Sequence, residues 1–287
     1  MKLSIVTINY NNADGLRKTM ESVFAQTYRD FEYIVVDGAS TDGSVDIIKE
    51  YAQKLENGDW KLENFQWISE PDTGIYNAMN KGLKMCHGEY VLMLNSGDFF
   101  VDEHVIERIL PELHTEDIIQ GNTIEEFPDR TVRSRGYGRS DISFIDAVDG
   151  GFPHQAMFIK LSTMTQYGYY DDAYTKGADS YFFITAIGFG KATYRYVNID
   201  IANFDVNGIS SMQDPKWVRI DKEEDERWYA EHMPPRVYAL YETAKQTNKL
   251  YTSLHKHKWI WKITMLLVRI SERISPTPPN IKFDLVK

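Results

Sequence analysis

Four aspartates stand at points of the chain where side chains could do chemistry. Asp37 closes the apolar run from Phe31 to Val36, Asp72 follows Glu70-Pro71, Asp98 ends Asn95-Ser96-Gly97-Asp98, and Asp179 opens the apolar stretch from Ala178 to Ile187. A carboxylate offers hard oxygens, so such residues can ligate a divalent cation, accept a charge-assisted bond from a ring N–H, or take a proton from a hydroxyl. Each also has a plainer use. Asp37 can brace its own turn, although Ser40 and Asp42 are better placed to cap the next helix. Asp72 suits the dipole of a helix starting near Gly74, and Asp98 and Asp179 can serve as helix caps. Lys81 can offer charge to a phosphate or lie on a solvated helix face. His154, in Pro153-His154-Gln155-Ala156, can hydrogen-bond a substrate or simply be satisfied in place.

These residues need elements that bring them together. Leu3 to Ile8 reads as a strand, and Asn11-Asn12 can cap a helix whose Leu16, Met20, Val23 and Phe24 fall at helical spacing. Phe31 to Val36 is a second strand, and Gly38-Ala39-Ser40-Thr41-Asp42-Gly43 turns into a helix bearing Val45, Ile48, Ala52 and Leu55. Phe65 to Ile68 predicts a third strand, Ile75, Met79 and Leu83 a helix, and Tyr90 to Leu94 a fourth strand. This alternation predicts an α/β fold with a mainly parallel sheet flanked by helices. Ligands bind such sheets beyond the carboxyl ends of the strands, where Asn9-Tyr10-Asn11, Asp37, Glu70-Pro71-Asp72 and Asn95–Asp98 would gather. Beyond Asp98 the pattern is mixed. It suggests a helix near Glu103 to Leu113, hairpin strands around Ile118 to Arg133, and a Gly-rich stretch from Gly136 to Gly151. A strand from Ala156 to Lys160, a buried helix from Ala178 to Ile187 and a strand from Thr193 to Ile201 follow.

With 43% hydrophobic residues in 287, the chain can bury a large core. A lone cysteine, Cys86, suits a reducing compartment, and the start of the chain lacks the basic and apolar regions of an export signal, so a cytoplasmic protein is expected. A net charge of −10 argues against general nucleic-acid binding. The seven histidines and one cysteine form no compact structural metal pattern. From Lys249 onward, eight basic residues stand against Glu272 and Asp284, so the tail is basic while the rest is strongly acidic.

Four ordered motifs carry a resemblance. They are Ser4-Ile5-Val6-Thr7-Ile8-Asn9-Tyr10-Asn11, Val35-Val36-Asp37-Gly38-Ala39-Ser40-Thr41-Asp42-Gly43, Asp72-Thr73-Gly74-Ile75-Tyr76-Asn77-Ala78-Met79-Asn80-Lys81-Gly82, and Leu94-Asn95-Ser96-Gly97-Asp98. Together they make residues 1–212 resemble the family 2 inverting glycosyltransferases of GT-A fold, in particular those that build bacterial capsule, exopolysaccharide and lipopolysaccharide.

The resemblance implies a nucleotide-binding half over 1–98, an acceptor half over 99–212, and a helical extension over 213–287. It implies a nucleotide-diphosphate-sugar donor, with a UDP-sugar favoured, contacted by Thr7, Asn9, Tyr10, Asp37, Asp72, Lys81, Asn95 and Ser96. Asp98 would hold Mn²⁺ or Mg²⁺. Relatives usually carry Asp-x-Asp there, whereas this chain keeps one carboxylate, with the Asn95 amide oxygen as a weaker ligand or a partner to one; magnesium needs only one or two carboxylates. Asp179 matches the catalytic base, and burial at the start of an apolar helix is expected to raise its pKa. Tyr181 replaces a second acid. His154 and Gln155 would face the acceptor or the donor sugar. Phe204-Asp205-Val206-Asn207-Gly208-Ile209-Ser210 resembles a mobile segment that closes over the donor. The acceptor would be a hydroxyl of a glycan or lipid-linked saccharide. Other readings are a catalytically silent sugar-nucleotide-binding or scaffold protein, and a nucleotidyltransferase, for which no Gly-rich basic triphosphate loop is present.

No run approaches the roughly 20 apolar residues that span a bilayer. Trp259, Trp261, Ile263, Leu266, Leu267 and Ile270 instead interleave with Lys256, Lys258, Lys262, Arg269 and Arg273, which suits an interfacial helix on anionic lipid over 249–275. The alternative is a helix packed on the catalytic domain or on a second copy in a homodimer. The interfacial reading predicts that the intact protein sediments with anionic liposomes at low salt and is released by high salt; no sedimentation at low salt would dismiss it.

Overall fold

A computed structural model of the protein describes residues 1–58, 62, 64–127, 129–205, 214–256, 262, 263 and 266. The first half alternates strand and helix: β1 (Leu3–Asn9), α1 (Ala13–Phe24), β2 (Glu32–Asp37), α2 (Ser44–Glu56), β3 (Asn64–Ser69), α3 (Ile75–Met85) and β4 (Tyr90–Met93). Then come β5 (Phe99–Phe100), α4 (Val105–Ile109), β6 (Ile118–Phe127), β7 (Arg130–Ser134), α5 (Phe144–Asp149), β8 (Met157–Lys160), α6 (Leu161–Tyr167) and α7 (Ala178–Phe183). The remaining elements are β9 (Tyr194–Phe204), α8 (Pro215–His232) and α9 (Pro235–Lys256). The helix expected over 178–187 changes pitch, with α7 running into a π-helical turn at Ile184–Phe189.

The strands form one nine-stranded sheet in the order β3-β2-β1-β4-β8-β6-β9-β5, with β7 on β6. The half made of β3, β2, β1 and β4 is parallel, and β8 joins β4 antiparallel. Every residue of β1, β2 and β4 is buried, as in strands covered by helices on both faces. The strand order reverses at β1, whose neighbours are β2 and β4, and such a switch point opens a crevice at the carboxyl ends.

Local chemistry fixes the helices bordering that crevice. Asn12 caps α1 by accepting from the Gly15 amide at 3.1 Å, and Asp42 reaches across from the next loop to accept from the Ala13 amide at 2.8 Å. Leu16, Met20, Val23 and Phe24 turn inward at helical spacing. Helix α3 lies close on β1 and β2 because Gly82 has no side chain: a Cβ there would stand 2.4 Å from Val6 Cγ1 and 3.3 Å from Val36 Cγ2.

The chain divides into two compact units, Met1–Trp228 and Tyr229–Lys287. The first therefore extends past residue 212 into α8. Trp228 stacks on Tyr181 with centroids 4.9 Å apart, Tyr181 donates to Asp225 at 2.9 Å, and Glu224 accepts from the Thr175 and Lys176 amides at 2.7 and 2.8 Å. In the second unit α9 runs to Lys256, and Tyr229 stacks on Tyr238 at 5.6 Å. Most of the basic segment over 249–275 lies outside the described residues, as does 206–210 of the expected closing segment. Among the described residues no helix is long and apolar enough to cross a membrane.

Gly82→Ala tests the α3 contact, because two effects oppose each other. Alanine is the better helix former by about 1 kcal/mol, while overpacking costs about 1–3 kcal/mol. The strand side chains of Val6 and Val36 leave the methyl group little room, so a net loss of stability is expected as a lower denaturant midpoint; a gain would contradict the tight contact.

Candidate active site

The carboxyl ends of β1, β2 and β4 bring most of the expected donor residues to one edge. Here Asp37 is wholly enclosed. Its Oδ1 accepts from Asn9 Nδ2 at 2.8 Å and Ser40 Oγ at 2.6 Å, and its Oδ2 from the Ser40 amide at 2.9 Å and Ser69 Oγ at 2.7 Å. Burial favours the neutral acid, but these donors outweigh it and hold the Asp37 pKa below the ordinary range. Four donors occupy the usual acceptor positions of a carboxylate. A direct bond from Asp37 to a nucleobase would require one of them to give way.

Two other residues present themselves more openly. Tyr10 is 67% exposed, and a Cβ on Gly38 would stand 3.0 Å from Tyr10 Cδ2 and 2.6 Å from Asp72 Oδ2. Tyr10 and Asp72 therefore flank Gly38, a bare stretch of backbone with an aromatic ring on one side and a carboxylate on the other. Asp72 Oδ1 also accepts from the Gly74 amide at 3.0 Å, the capping contact expected of it. Lys81 is turned back on the same loop, 2.8 Å from both Glu70 Oε1 and the Pro71 carbonyl. Its charge is already paired. Thr7 is buried, donating to the Leu94 carbonyl at 2.7 Å and accepting from Tyr33 at 3.0 Å. Both Thr7 and Asn9 shape the crevice from beneath.

The Asn95–Asp98 loop is held by a residue the motifs did not single out. Thr19 of α1 lies among apolar neighbours, and its Oγ1 donates to the Asp98 carbonyl at 2.6 Å while accepting from the Gly97 amide at 3.0 Å. A threonine on the apolar face of α1 was the available signal. Gly97 has φ +107°, and a Cβ there would stand 2.7 Å from Asp205 Oδ2, so position 97 resists any side chain on two grounds. Ser96 accepts from Asn12 Nδ2 at 3.2 Å through its carbonyl. Asp98 itself is 5% exposed, with Oδ1 accepting from the Asp205 amide at 2.9 Å. Burial pushes its pKa up to about 7, against the opposing influence of His154 and the Asp205 amide.

Asp179 lies across the site at the start of α7, after Gly177 at φ +75°. Its Oδ2 is 3.0 Å from His154 Nδ1 and its Oδ1 accepts from Tyr76 at 2.9 Å. His154 Nε2 is in turn 3.0 Å from Asn95 Nδ2. One chain of contacts thus joins Tyr76, Asp179, His154 and the loop bearing Asp98. The expectation of a raised Asp179 pKa is corrected here: burial raises it, but His154 and Tyr76 hydrogen-bond the charged form and the net shift is downward. Burial opposes charge on His154 as well, and Asp179 overcomes it, leaving the His154 pKa above its ordinary value. Gln155 is buried beside His154. Tyr181 points to Asp225 and Trp228, so it is a packing residue of the α7–α8 contact.

The residues around Asp98 fit a divalent cation. Asp98 and Asp205 supply hard oxygens, the raised Asp98 pKa marks a charge its surroundings leave uncompensated, and the buried Asn95 Oδ1 has no hydrogen-bond partner. Among the described residues no group of three or more His, Cys, Asp or Glu side chains is assembled to hold one. An ion at Asp98 would complete its shell with phosphate oxygens and water.

The curled, mainly parallel sheet flanked by helices is that of a GT-A fold. The chain belongs to glycosyl transferase family 2, whose model matches residues 4–171, and it is a glycosyltransferase. A glycosyltransferase of Mycobacterium tuberculosis (strain CDC 1551 / Oshkosh) is 31% identical over 232 residues, covering 75% of this chain and 79% of that protein. The PGL/p-HBAD biosynthesis glycosyltransferase of Mycobacterium bovis (strain BCG / Pasteur 1173P2) is 27% identical, covering 71% and 77%. Among solved structures, S. aureus TarS 1–349 in complex with UDP-GlcNAc superposes with TM-score 0.58 at 17% identity over 71% of this chain, which spans 58% of that one. The mannosyltransferase PcManGT from Pyrobaculum calidifontis in complex with GDP-Man and Mn²⁺ superposes with TM-score 0.58 at 15% identity, covering 97% and 76%. These structural likenesses show the fold.

Asp98 yields a pH prediction. Its folded pKa of about 7 lies above the ordinary carboxylate value, so the folded protein binds that proton more tightly than the unfolded chain does. Stability then falls as pH rises from about 4 to about 7. In metal-free protein, Asp98→Asn is expected to be more stable than wild type at pH 8 by on the order of 1–3 kcal/mol, with the difference gone near pH 4. Equal calorimetric stability at both pH values would contradict the uncompensated charge.

Proposed function

We propose that the protein transfers a sugar, with inversion, from a nucleoside-diphosphate sugar to an acceptor hydroxyl in bacterial surface-glycan biosynthesis. The observation that carries this reading is the chain from Asp179 through His154 to Asn95, which sets one carboxylate opposite the loop bearing Asp98. A donor diphosphate at Asp98 and an acceptor hydroxyl at Asp179 would then lie on opposite sides of the reacting sugar carbon.

Tyr10 offers its exposed face to the base, beside Asp72 and the bare backbone of Gly38. Asp37 holds Asn9, Ser40 and Ser69 as the floor of that pocket, and Lys81 braces the Glu70–Asp72 turn. A divalent cation, Mn²⁺ or Mg²⁺, held by Asp98 would supply positive charge to the leaving diphosphate. Asp179 accepts the acceptor's hydroxyl hydrogen. The new C–O bond forms at the anomeric carbon as the bond to the diphosphate oxygen breaks, the proton passes to Asp179, and the nucleoside diphosphate departs. A carboxylate of lowered pKa takes that proton late, once bond formation has made the hydroxyl acidic.

A UDP-sugar is the favoured donor, supported by the UDP-GlcNAc complex of TarS, with a GDP-sugar next, supported by the GDP-Man complex of PcManGT. The relative named for PGL/p-HBAD biosynthesis supports a biosynthetic role, and we favour a glycan or lipid-linked saccharide as acceptor.

The test is calorimetric titration with UDP, GDP, CDP and dTDP and with UDP-GlcNAc and GDP-Man, with and without Mn²⁺, followed by nucleoside-diphosphate release. Metal-dependent binding of one nucleotide is expected in wild type and is expected to be lost in Asp98→Ala. Asp179→Asn should bind the donor as wild type does while turnover falls about 10²–10⁴-fold. Unchanged turnover would remove Asp179 from the role of base, and binding without turnover in wild type would favour a silent sugar-nucleotide-binding protein.

A further inference from the structure

Building on the assignment of Asp179 as base, we propose that His154 is a positioning residue: its imidazole, set between the Asp179 carboxylate and the Asn95–Asp98 loop, fixes the orientation of that carboxylate. The ring spans the gap between them, with Nδ1 3.0 Å from Asp179 Oδ2 and Nε2 3.0 Å from Asn95 Nδ2. Both ring nitrogens of His154 are thereby engaged by protein groups. Its backbone is well anchored, in a short 3-10 turn (His154–Ala156) that runs straight into β8, the strand hydrogen-bonded to β4.

Asp179 needs such a hold. It sits in the first turn of a six-residue helix after a glycine in the left-handed region, so the backbone alone does not dictate the plane of its carboxylate. Tyr76 takes one oxygen and His154 the other, from two separate elements, and together they stop the carboxylate from rotating. The carboxylate side chain remains 18% exposed, enough for an acceptor hydroxyl to approach. The amide of Asn95 can be placed either way round without changing this conclusion. With its nitrogen toward His154, Nε2 accepts and Nδ1–H donates to Asp179. With its oxygen toward His154, the unpartnered Asn95 Oδ1 gains a donor in Nε2–H and Nδ1–H still donates to Asp179.

Two arms test this on the full-length protein. With ¹⁵N-labelled histidine, two-bond proton–nitrogen correlations should show His154 Nδ1 protonated, with a resonance that moves in Asp179→Asn and is assigned by its loss in His154→Asn. An unprotonated Nδ1, or a resonance indifferent to Asp179→Asn, overturns the proposal without any substrate. The second arm follows UDP release from UDP-GlcNAc or GDP release from GDP-Man, whichever wild type turns over. An asparagine amide nitrogen can stand where Nδ1 stands, whereas a glutamine amide reaches the place of Nε2. His154→Asn should keep kcat within about tenfold, while His154→Gln and His154→Ala lose about 10²-fold, all with donor KM unchanged. Equal loss in the asparagine and glutamine variants, or a loss confined to donor KM, would overturn the positioning role. Wild-type turnover in Asp179→Asn would instead overturn the base assignment, while the Nδ1 resonance would still report the contact.

Discussion

One hydroxyl clasps both sides of the turn after β4. Thr19 reaches out of α1 to hold the Asp98 carbonyl and the Gly97 amide, and so fixes a turn that must carry a buried carboxylate at the mouth of the crevice. Asp98 pays for that burial with a pKa raised to about 7. The hydrogen bonds that hold the turn are set against a local electrostatic cost, as expected where a site is held ready for a charged ligand. Gly97 follows from the same constraint, since its backbone angle and the nearby Asp205 carboxylate leave no room for a side chain.

Across the crevice the electrostatics run the other way. Burial raises the Asp179 pKa, yet His154 and Tyr76 hydrogen-bond its charged form and the net shift is downward. Two aspartates, one buried and one half-buried, are thus held in opposite senses within one hydrogen-bonded neighbourhood, Asp98 with its pKa raised and Asp179 with its pKa lowered. Such a divergence of environments is how one site assigns different tasks to like groups. Helix α8 supports the arrangement from behind, through the Tyr181–Trp228 stack and the Glu224 contacts to the Thr175 and Lys176 amides.

Much of this was legible from residue order. The strands of the parallel half are covered on both faces, so they read as continuous apolar runs, and the carboxylates that follow them stood out at their ends. The direction of the Asp179 pKa was not legible, because it depends on His154 and Tyr76, which lie 25 and 103 positions away. Asp37 looked like a ligand-facing acid, and only the convergence of Asn9, Ser40 and Ser69 from three strand ends reveals how fully it is engaged. Tyr181 read as a missing acid, whereas it is an aromatic contact to a helix more than forty positions on. Lys81 pairs with Glu70, which lies on the segment leading into the helix that carries Lys81.

With Asp179 as its single carboxylate base, the proposed reaction is a direct displacement at the anomeric carbon. The most direct test is the anomeric configuration of the glycoside formed, read from the vicinal proton coupling or the one-bond carbon–proton coupling at the anomeric position by NMR. A single displacement predicts a product of configuration opposite to the donor's. Retention would require a different course of reaction and would contradict it.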